Sequence, residues 1–385
     1  MNNFASKTKV ALLVNIIAPS RLRLYSLFAE QFDLLILHGG TEGNRDFWEG
    51  LEKQLPNAKV LRAWGWQLHY TKKVHGEAFD EKFVHVTPGF AWGLLRFRPA
   101  AVITNEMGFR TLLALTYGML FGKPVWVWWG GTLHTERGAG RLRKAVRRII
   151  ALWARHWISY GQSSTEYLLR LGVRRERILE SQNGVDEEEF EADVEPAWSI
   201  QPRPVVLYTG QFIERKGVVA LLNAAAAAQR VSEFSLLLVG NGPDRKALEQ
   251  RAKTLGLKNV HFRPAQVPSH MPAVYRSGDV LVFPTREDVW GLVANEAILS
   301  GTQVLCSKYA GCAQELFSGE SIFDPENHAE FAYKLGEVVA GRIPRPDRAG
   351  VKSISEIANG IIRAIESAVS RGIRAVPSAE SQDLK

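Results

Sequence analysis

The sequence predicts an α/β protein of two domains, each built on a parallel sheet. Three observations carry that prediction. Short apolar runs such as Val125–Trp129, Val205–Thr209 and Val280–Phe283 recur along the chain, separated by stretches of helical periodicity. That alternation is the signature of βαβ units. The chain has 385 residues, enough for two cores of ordinary size. Composition also changes near the middle, where the acidic run Glu187–Glu195 leads into Pro196 and the Pro-rich Gln201–Pro204. This is the best linker candidate. The expected division is a first domain over 1–195 and a second over 196–350. A helix rich in Ile and Ala follows over 351–370, and a loose polar tail over 371–385.

In the first domain, Lys9–Ile17 reads as a strand and Pro19 opens a helix from Ser20 to Glu30. Asp33–Leu37 is a second strand, closed by His38-Gly39-Gly40. Ala100–Thr104 is a third, ending at Asn105-Glu106, and a long helix then runs to Phe121. Gly138–Ala154 is a basic helix, with Arg141, Arg143, Lys144, Arg147 and Arg148 on one side and Leu142, Val146, Ile149, Ile150 and Trp153 on the other. Its charged side is either a solvated face or one turned to anionic headgroups. In the second domain, Ser235–Val239 ends in the Gly240-Asn241-Gly242-Pro243 turn, and Leu257–Phe262, Val280–Phe283 and Gln303–Cys306 supply further strands.

Apolar residues make up 46% and charged residues 23% of the chain, an ordinary globular balance. The two cysteines, Cys306 and Cys312, allow at most one disulfide, and a reducing compartment is the simpler expectation. No signal-peptide pattern and no membrane-spanning run is apparent. The net charge of +8 is uneven. Up to residue 185, 26 basic against 14 acidic residues leave +12; beyond it, 22 against 26 leave −4. Ten of the eleven tryptophans precede residue 200. A basic, Trp-rich half points to an anionic membrane surface, and nucleic acid ranks well below it because no nucleic-acid-binding module is present. The expected location is the cytoplasm, peripheral on the inner face of the cell membrane.

The most informative segment is Thr285–Glu296. Glu287 and Asp288 follow the strand Val280–Phe283 at its C-terminal end, where ligands bind in doubly wound sheets. A helix over Gly291–Ser300 places Glu296 among apolar neighbours such as Val293. A buried carboxylate there needs a partner, and vicinal ribose or sugar hydroxyls would provide one. Earlier, Gly210-Gln211 leads through Arg215-Lys216-Gly217 into an Ala-rich helix, a strand–helix turn able to hold phosphate oxygens. In the first domain, Arg21 and Arg23 open a helix and are candidates for phosphate contact on an acceptor. Glu106 closes a strand at the ligand-facing edge, and His134 follows the Trp128-Trp129-Gly130-Gly131 strand end.

The Thr285–Glu296 stretch resembles the Glu-x7-Glu signature of the family-4 retaining glycosyltransferases (glycosyl transferases group 1), which have the GT-B fold. Glu296 matches the second, ribose-binding acid. The first, sugar-facing acid is Asp288, eight positions back, or Glu287 with a shifted loop. Lys216 matches the lysine that grips the donor diphosphate, while Gln211 stands where the usual arginine would be. The resemblance implies that Gly242 belongs to a turn near the nucleotide and Val267 to the base-contacting loop. Trp290, Gly291, Leu292 and Val293 complete the donor segment. The resemblance implies two Rossmann-like domains facing a cleft. It further implies a nucleotide-sugar donor, with UDP favoured and GDP second, and a saccharide or lipid-linked saccharide acceptor of envelope polysaccharide. No Asp-x-Asp triplet and no His/Cys cluster occurs, so no cofactor and no metal is expected. The alternatives are a GT-B sugar-nucleotide epimerase, and a catalytically idle nucleotide-sugar-binding partner in a membrane assembly.

Overall fold

The strands of the computed structural model, which describes residues 7–40, 50–74 and 77–374, run in chain order as follows. β1 (Lys9–Val14), β2 (Asp33–His38) and β3 (Lys59–Arg62) come first. An antiparallel hairpin, β4 (Trp66–Val74) and β5 (Glu77–Val86), stands apart. Then come β6 (Ala101–Asn105), β7 (Val125–Trp129), β8 (His156–Ser159) and β9 (Ile178–Glu180). They close a seven-stranded parallel sheet of order β3-β2-β1-β6-β7-β8-β9. The second sheet is built from β10 (Val205–Thr209), β11 (Ser235–Val239), β12 (Val260–Arg263), β13 (Val280–Phe283), β14 (Gln303–Ser307) and β15 (Ile322–Phe323). Its order is β12-β11-β10-β13-β14-β15, again parallel. In both sheets the order reverses beside the first strand of the domain. Such switch points open a crevice at the carboxyl ends of the strands.

Helices cover both faces of each sheet, which is why the strands read as unbroken apolar runs. In the first half these are α1 (Leu22–Gln31), α2 (Gly89–Phe97), α3 (Phe109–Phe121), α4 (Arg141–Trp153), α5 (Gln162–Arg170) and the short α6 (Glu187–Glu191). In the second half they are α7 (Val218–Ala228), α8 (Arg245–Thr254), α9 (Met271–Arg276), α10 (Leu292–Leu299), α11 (Ala313–Leu316), α12 (His328–Val339) and α13 (Ile354–Arg374). α13 packs Ile354, Ile357, Ile361 and Ile365 into the first domain's core, against Tyr25 and Phe28 of α1 and the β1 side chains. The chain thus crosses between the domains twice.

Several element ends differ from the sequence reading, for local reasons. β1 stops at Val14, before Ile17, because Pro19–Arg21 forms a 3-10 turn and α1 begins only at Leu22. β12 begins at Val260, after Leu257, because Gly256 and Asn259 both adopt positive φ, which no strand accommodates. α13 runs on to Arg374, so the first four residues of the expected tail are helical; the rest of that tail lies outside the described residues. The largest difference concerns α4. Leu142, Ile149 and Trp153, read as its core side, are exposed, and Arg147, read as part of the outer charge cluster, is buried. The Arg147 guanidinium lies 4.9 Å from the Trp129 ring and pairs with Glu136, and these partners offset the desolvation of its charge.

Candidate functional site

At the end of β13, Pro284 and Thr285 turn the chain, and Gly291 (φ 100°) starts α10. A Cβ on Gly291 would come within 2.2 Å of the Phe283 ring, so only glycine lets the loop fold back this tightly. The loop is tied down by its backbone: Asp288 donates to the Tyr309 carbonyl and accepts from Gly311 N. These ties orient the two acids differently. Asp288 is turned inward and accepts from Lys216 Nζ at 2.6 Å. Burial alone would raise its carboxyl pKa, but the Lys216 charge and hydrogen bond hold it below the usual range. Glu287 faces outward and accepts from Arg137 Nη1 at 3.0 Å. The two candidates for the sugar-facing acid therefore have separate partners, one in each domain.

Lys216 ends a 3-10 turn before Gly217, whose Cβ would lie 2.0 Å from the Pro284 carbonyl oxygen. The close packing of these two loops sets the Lys216–Asp288 contact. Arg215 Nη1 donates to the Glu287 carbonyl at 3.2 Å. The Gly210-Gln211 turn nests against the Gly240–Gly242 turn, where a Cβ on Gly240 would meet the Gly210 carbonyl oxygen at 1.8 Å. The Gln211 carbonyl accepts from Tyr208 OH. Trp290 contributes only its backbone to the loop. Its ring is buried in the second domain's core, and Nε1 donates to Asn295 at 2.8 Å.

Glu296 sits one turn further along α10 and opens onto a cavity of about 590 Å³. Its Oε2 accepts from Tyr275 OH at 2.6 Å, and Tyr275 OH also lies 3.3 Å from Thr209 Oγ1. Burial pushes the Glu296 carboxyl up to about 7, opposed by the Tyr275 hydrogen bond and assisted by the nearby Glu189. Leu292, Gln266, Pro268 and Met271 line the same space; Val267 itself caps the next turn. Across the gap the first domain closes the cavity with Pro19, Ser20 and Arg23. Arg23 therefore faces the Glu296 cavity, whereas Arg21 is buried and does not line it. The Arg21 guanidinium is stacked 4.6 Å from the Trp128 ring and 5.2 Å from the Tyr160 ring.

A second cavity, of about 500 Å³, lies at the carboxyl edge of the first sheet, with Val289 of the second-domain loop on its rim. Glu106 lines it with an exposed carboxylate that accepts from Asn15 Nδ2 at 3.2 Å. Glu106 holds φ at 68°, a left-handed conformation that costs a residue with a Cβ about 1–2 kcal/mol. Strain of this kind collects at functional sites. Beneath it, Arg110 is buried and donates to Asn15 and to the Asn105 carbonyl. Burial lowers its pKa, against the Glu106 charge. His134 Nε2 lies 2.8 Å from the Arg286 carbonyl oxygen, and its ring stacks 4.2 Å from Tyr309. His134 and Arg137 thus pin the β7–α4 loop to the β13–α10 loop.

Four contributors escaped the sequence reading: Tyr275, Arg137, Tyr309 and Arg110. Tyr275 had one usable signal, since a phenol in an apolar segment needs a partner for its OH. The other three meet their partners through the fold alone.

Residues 191–355 match the family model of glycosyl transferases group 1. Among curated relatives, a D-inositol 3-phosphate glycosyltransferase of Nocardia farcinica is 30% identical over 167 residues, 40% of this chain and 37% of that protein. One from Segniliparus rotundus is 35% identical over 113 residues, 28% of this chain and 25% of that protein. The chain therefore spans between a quarter and somewhat over a third of the length of the relatives named here. Among solved structures, Anabaena Alr3699/HepE in complex with UDP superposes with TM-score 0.66 at 16% identity, covering 94% of this chain and all of that one. The lipopolysaccharide outer core galactosyltransferase WaaB superposes with TM-score 0.64 at 14% identity, covering 95% and 98%. The chain thus has a GT-B fold of two Rossmann-like domains, and its residues 191–355 match the model of glycosyl transferases group 1.

Proposed function

We propose that the chain is a retaining glycosyltransferase that moves a sugar from a nucleotide sugar, UDP-linked first and GDP-linked second, to a saccharide acceptor carried by a lipid or an envelope polysaccharide. The observation that carries the reading is the pairing of Asp288 with Lys216 and of Glu296 with Tyr275, both at the carboxyl edge of one sheet. Solved GT-B structures bound to UDP and to UDP-glucose support the nucleotide class. The relatives named D-inositol 3-phosphate glycosyltransferases support transfer to a hydroxyl acceptor.

In this reading Glu296 accepts from the ribose hydroxyls, and the donor diphosphate takes over Lys216 from Asp288. Arg215 adds a second cation where Gln211 cannot. The bond from the anomeric carbon to the diphosphate breaks as the bond to the acceptor oxygen forms on the same face. The acceptor proton passes to a departing phosphate oxygen. Fixed cations in a closed cleft stabilise that leaving charge, so the reaction as proposed involves no metal. Asp288, or Glu287 held by Arg137, faces the donor sugar, and Glu106 faces the acceptor.

The test is a thermal-shift and hydrolysis panel of UDP-, GDP- and ADP-sugars. Ligand binding stabilises the native state by mass action, so one nucleotide class should raise the melting temperature and be hydrolysed slowly. A nucleotide-bound product with an altered sugar would identify an epimerase. Stabilisation without turnover on any acceptor would identify an idle binding partner, and the absence of any shift would overturn the donor site. A second expectation concerns Glu106. Glu106→Gly relieves the left-handed strain while loosening the unfolded chain by a similar amount, so thermal stability should stay near that of the unmodified protein. Transfer to acceptor should fall by about 10²-fold, within the range for a lost acid–base group, while donor hydrolysis is retained.

A further inference from the structure

Among the described residues no helix is long and apolar enough to cross a membrane. α4 carries two opposed faces. Arg147, Ile150 and Ala151 point inward. On the outer side, Leu142 is 80% exposed and Leu152 79%, with Ile149 and Trp153 between and beside them. Their spacing of three, four and seven residues places them on one stripe. The last turn of α3 continues the patch with Met119 and Phe121, and Leu120 there is 73% exposed. Met119, Leu152 and Trp153 share a groove of about 660 Å³ with Lys123, Arg155 and Arg371. A contiguous apolar area of this kind is uncommon on a soluble surface and marks an interaction site.

The charges around the patch choose the partner. Arg141, Lys144 and Arg148 flank the stripe, and Lys123, Arg155 and Arg371 rim the groove. None of these six is held in an ion pair among the described residues. No acidic residue occurs from Arg141 to Arg155. A second copy of the chain would set this basic rim against itself, at a cost from like charges. An anionic bilayer answers both features. Leucines and a tryptophan enter the headgroup boundary, and lysines and arginines meet the phosphates.

We propose that the outer stripe of α4 and the last turn of α3 dock this protein on anionic membranes. The same helix reaches the first-domain cavity from its other side, through Arg143 and Arg147. A docked α4 therefore holds the cavity beside the headgroups, where a lipid-borne acceptor would present its saccharide. This second step rests on the acceptor reading above. Docking itself does not, and it is scored separately from donor hydrolysis.

The experiment is flotation of the full chain with phosphatidylcholine vesicles, with and without phosphatidylglycerol. Binding is expected with phosphatidylglycerol, falling as salt is raised and weak without it. Leu142→Ser/Leu152→Ser should weaken it by about tenfold or more, the scale of two lost apolar contacts. Lys144→Glu/Arg148→Glu should abolish the preference for anionic lipid. Both variants should melt as the unmodified protein does and retain donor hydrolysis. Failure to float with anionic vesicles, or equal flotation of the Leu142/Leu152 variant, would overturn the proposal. So would a concentration-dependent dimer that the same variants dissociate, since the patch would then serve a second copy.

Discussion

Lys216→Ala is expected to lower kcat by about 10²–10³-fold, the usual scale for removing one fixed group that stabilises leaving charge. The lysine has two tasks, and they can be separated. In the unliganded protein it neutralises Asp288, a pair whose side chains are only 17% and 18% exposed. Removing one member of such a pair strands the other, at about 3–5 kcal/mol in a fully buried setting. Lys216→Ala should therefore also melt earlier. Lys216→Met/Asp288→Asn removes both charges, so it should regain most of the lost stability and none of the lost turnover. Measuring the melting temperature and kcat of the two variants side by side tests this. If the double variant regains turnover with stability, Lys216 is structural and the diphosphate assignment fails.

Glu296→Gln has the second large effect, and it runs in opposite directions for binding and stability. Two ribose hydroxyls would each lose a charged acceptor, worth about 1.5–3 kcal/mol per hydrogen bond, so donor affinity should fall by about 10²-fold or more. The unliganded protein should gain stability. The folded-state pKa of Glu296 is raised from the ordinary 4.5 to about 7, so the native state binds the proton more tightly than the unfolded chain. Stability then falls as pH rises from about 4.5 to about 7, and the full cost of the buried charge is present above that window. Allowing for partial solvent access, that cost is on the order of 1–3 kcal/mol. Glu296→Gln should thus melt later than the parent at pH 8 and alike at pH 4. Equal melting at both would place Glu296 in water, away from the Tyr275 hydroxyl.

The two sites were unequally legible in the sequence. The second-domain candidates were readable as a group because they are contiguous: Asp288, Gly291 and Glu296 occupy one loop and the helix it starts, and Gly210 to Lys216 occupy another. Local chain geometry brings such residues together whatever surrounds them. The partners that tune them are remote. Tyr275 reaches Glu296 because α9 packs beside α10. Arg137 meets Glu287 from 150 residues away, and His134 meets Arg286 from 152, only because the two sheets face one another. Arg21 was readable as a cation at a helix start, but its burial against Trp128 and Tyr160 depends on neighbours from β7 and the end of β8.

By itself, the sequence determined the parallel α/β architecture and marked Asp288, Glu296 and Lys216 as the candidate acids and lysine of the second domain. Buried strands declare themselves by unbroken apolar runs, and turns by Gly and Pro, both of which are local properties. Tertiary structure alone decided which acid is neutralised by Lys216, which cation meets the other, and which face of α4 is buried. Periodicity reveals that a helix has two faces, but the burial of either one is settled by what packs against it. In α4 the Trp129 ring and the Glu136 carboxylate made Arg147 the inward residue and left the leucines outside.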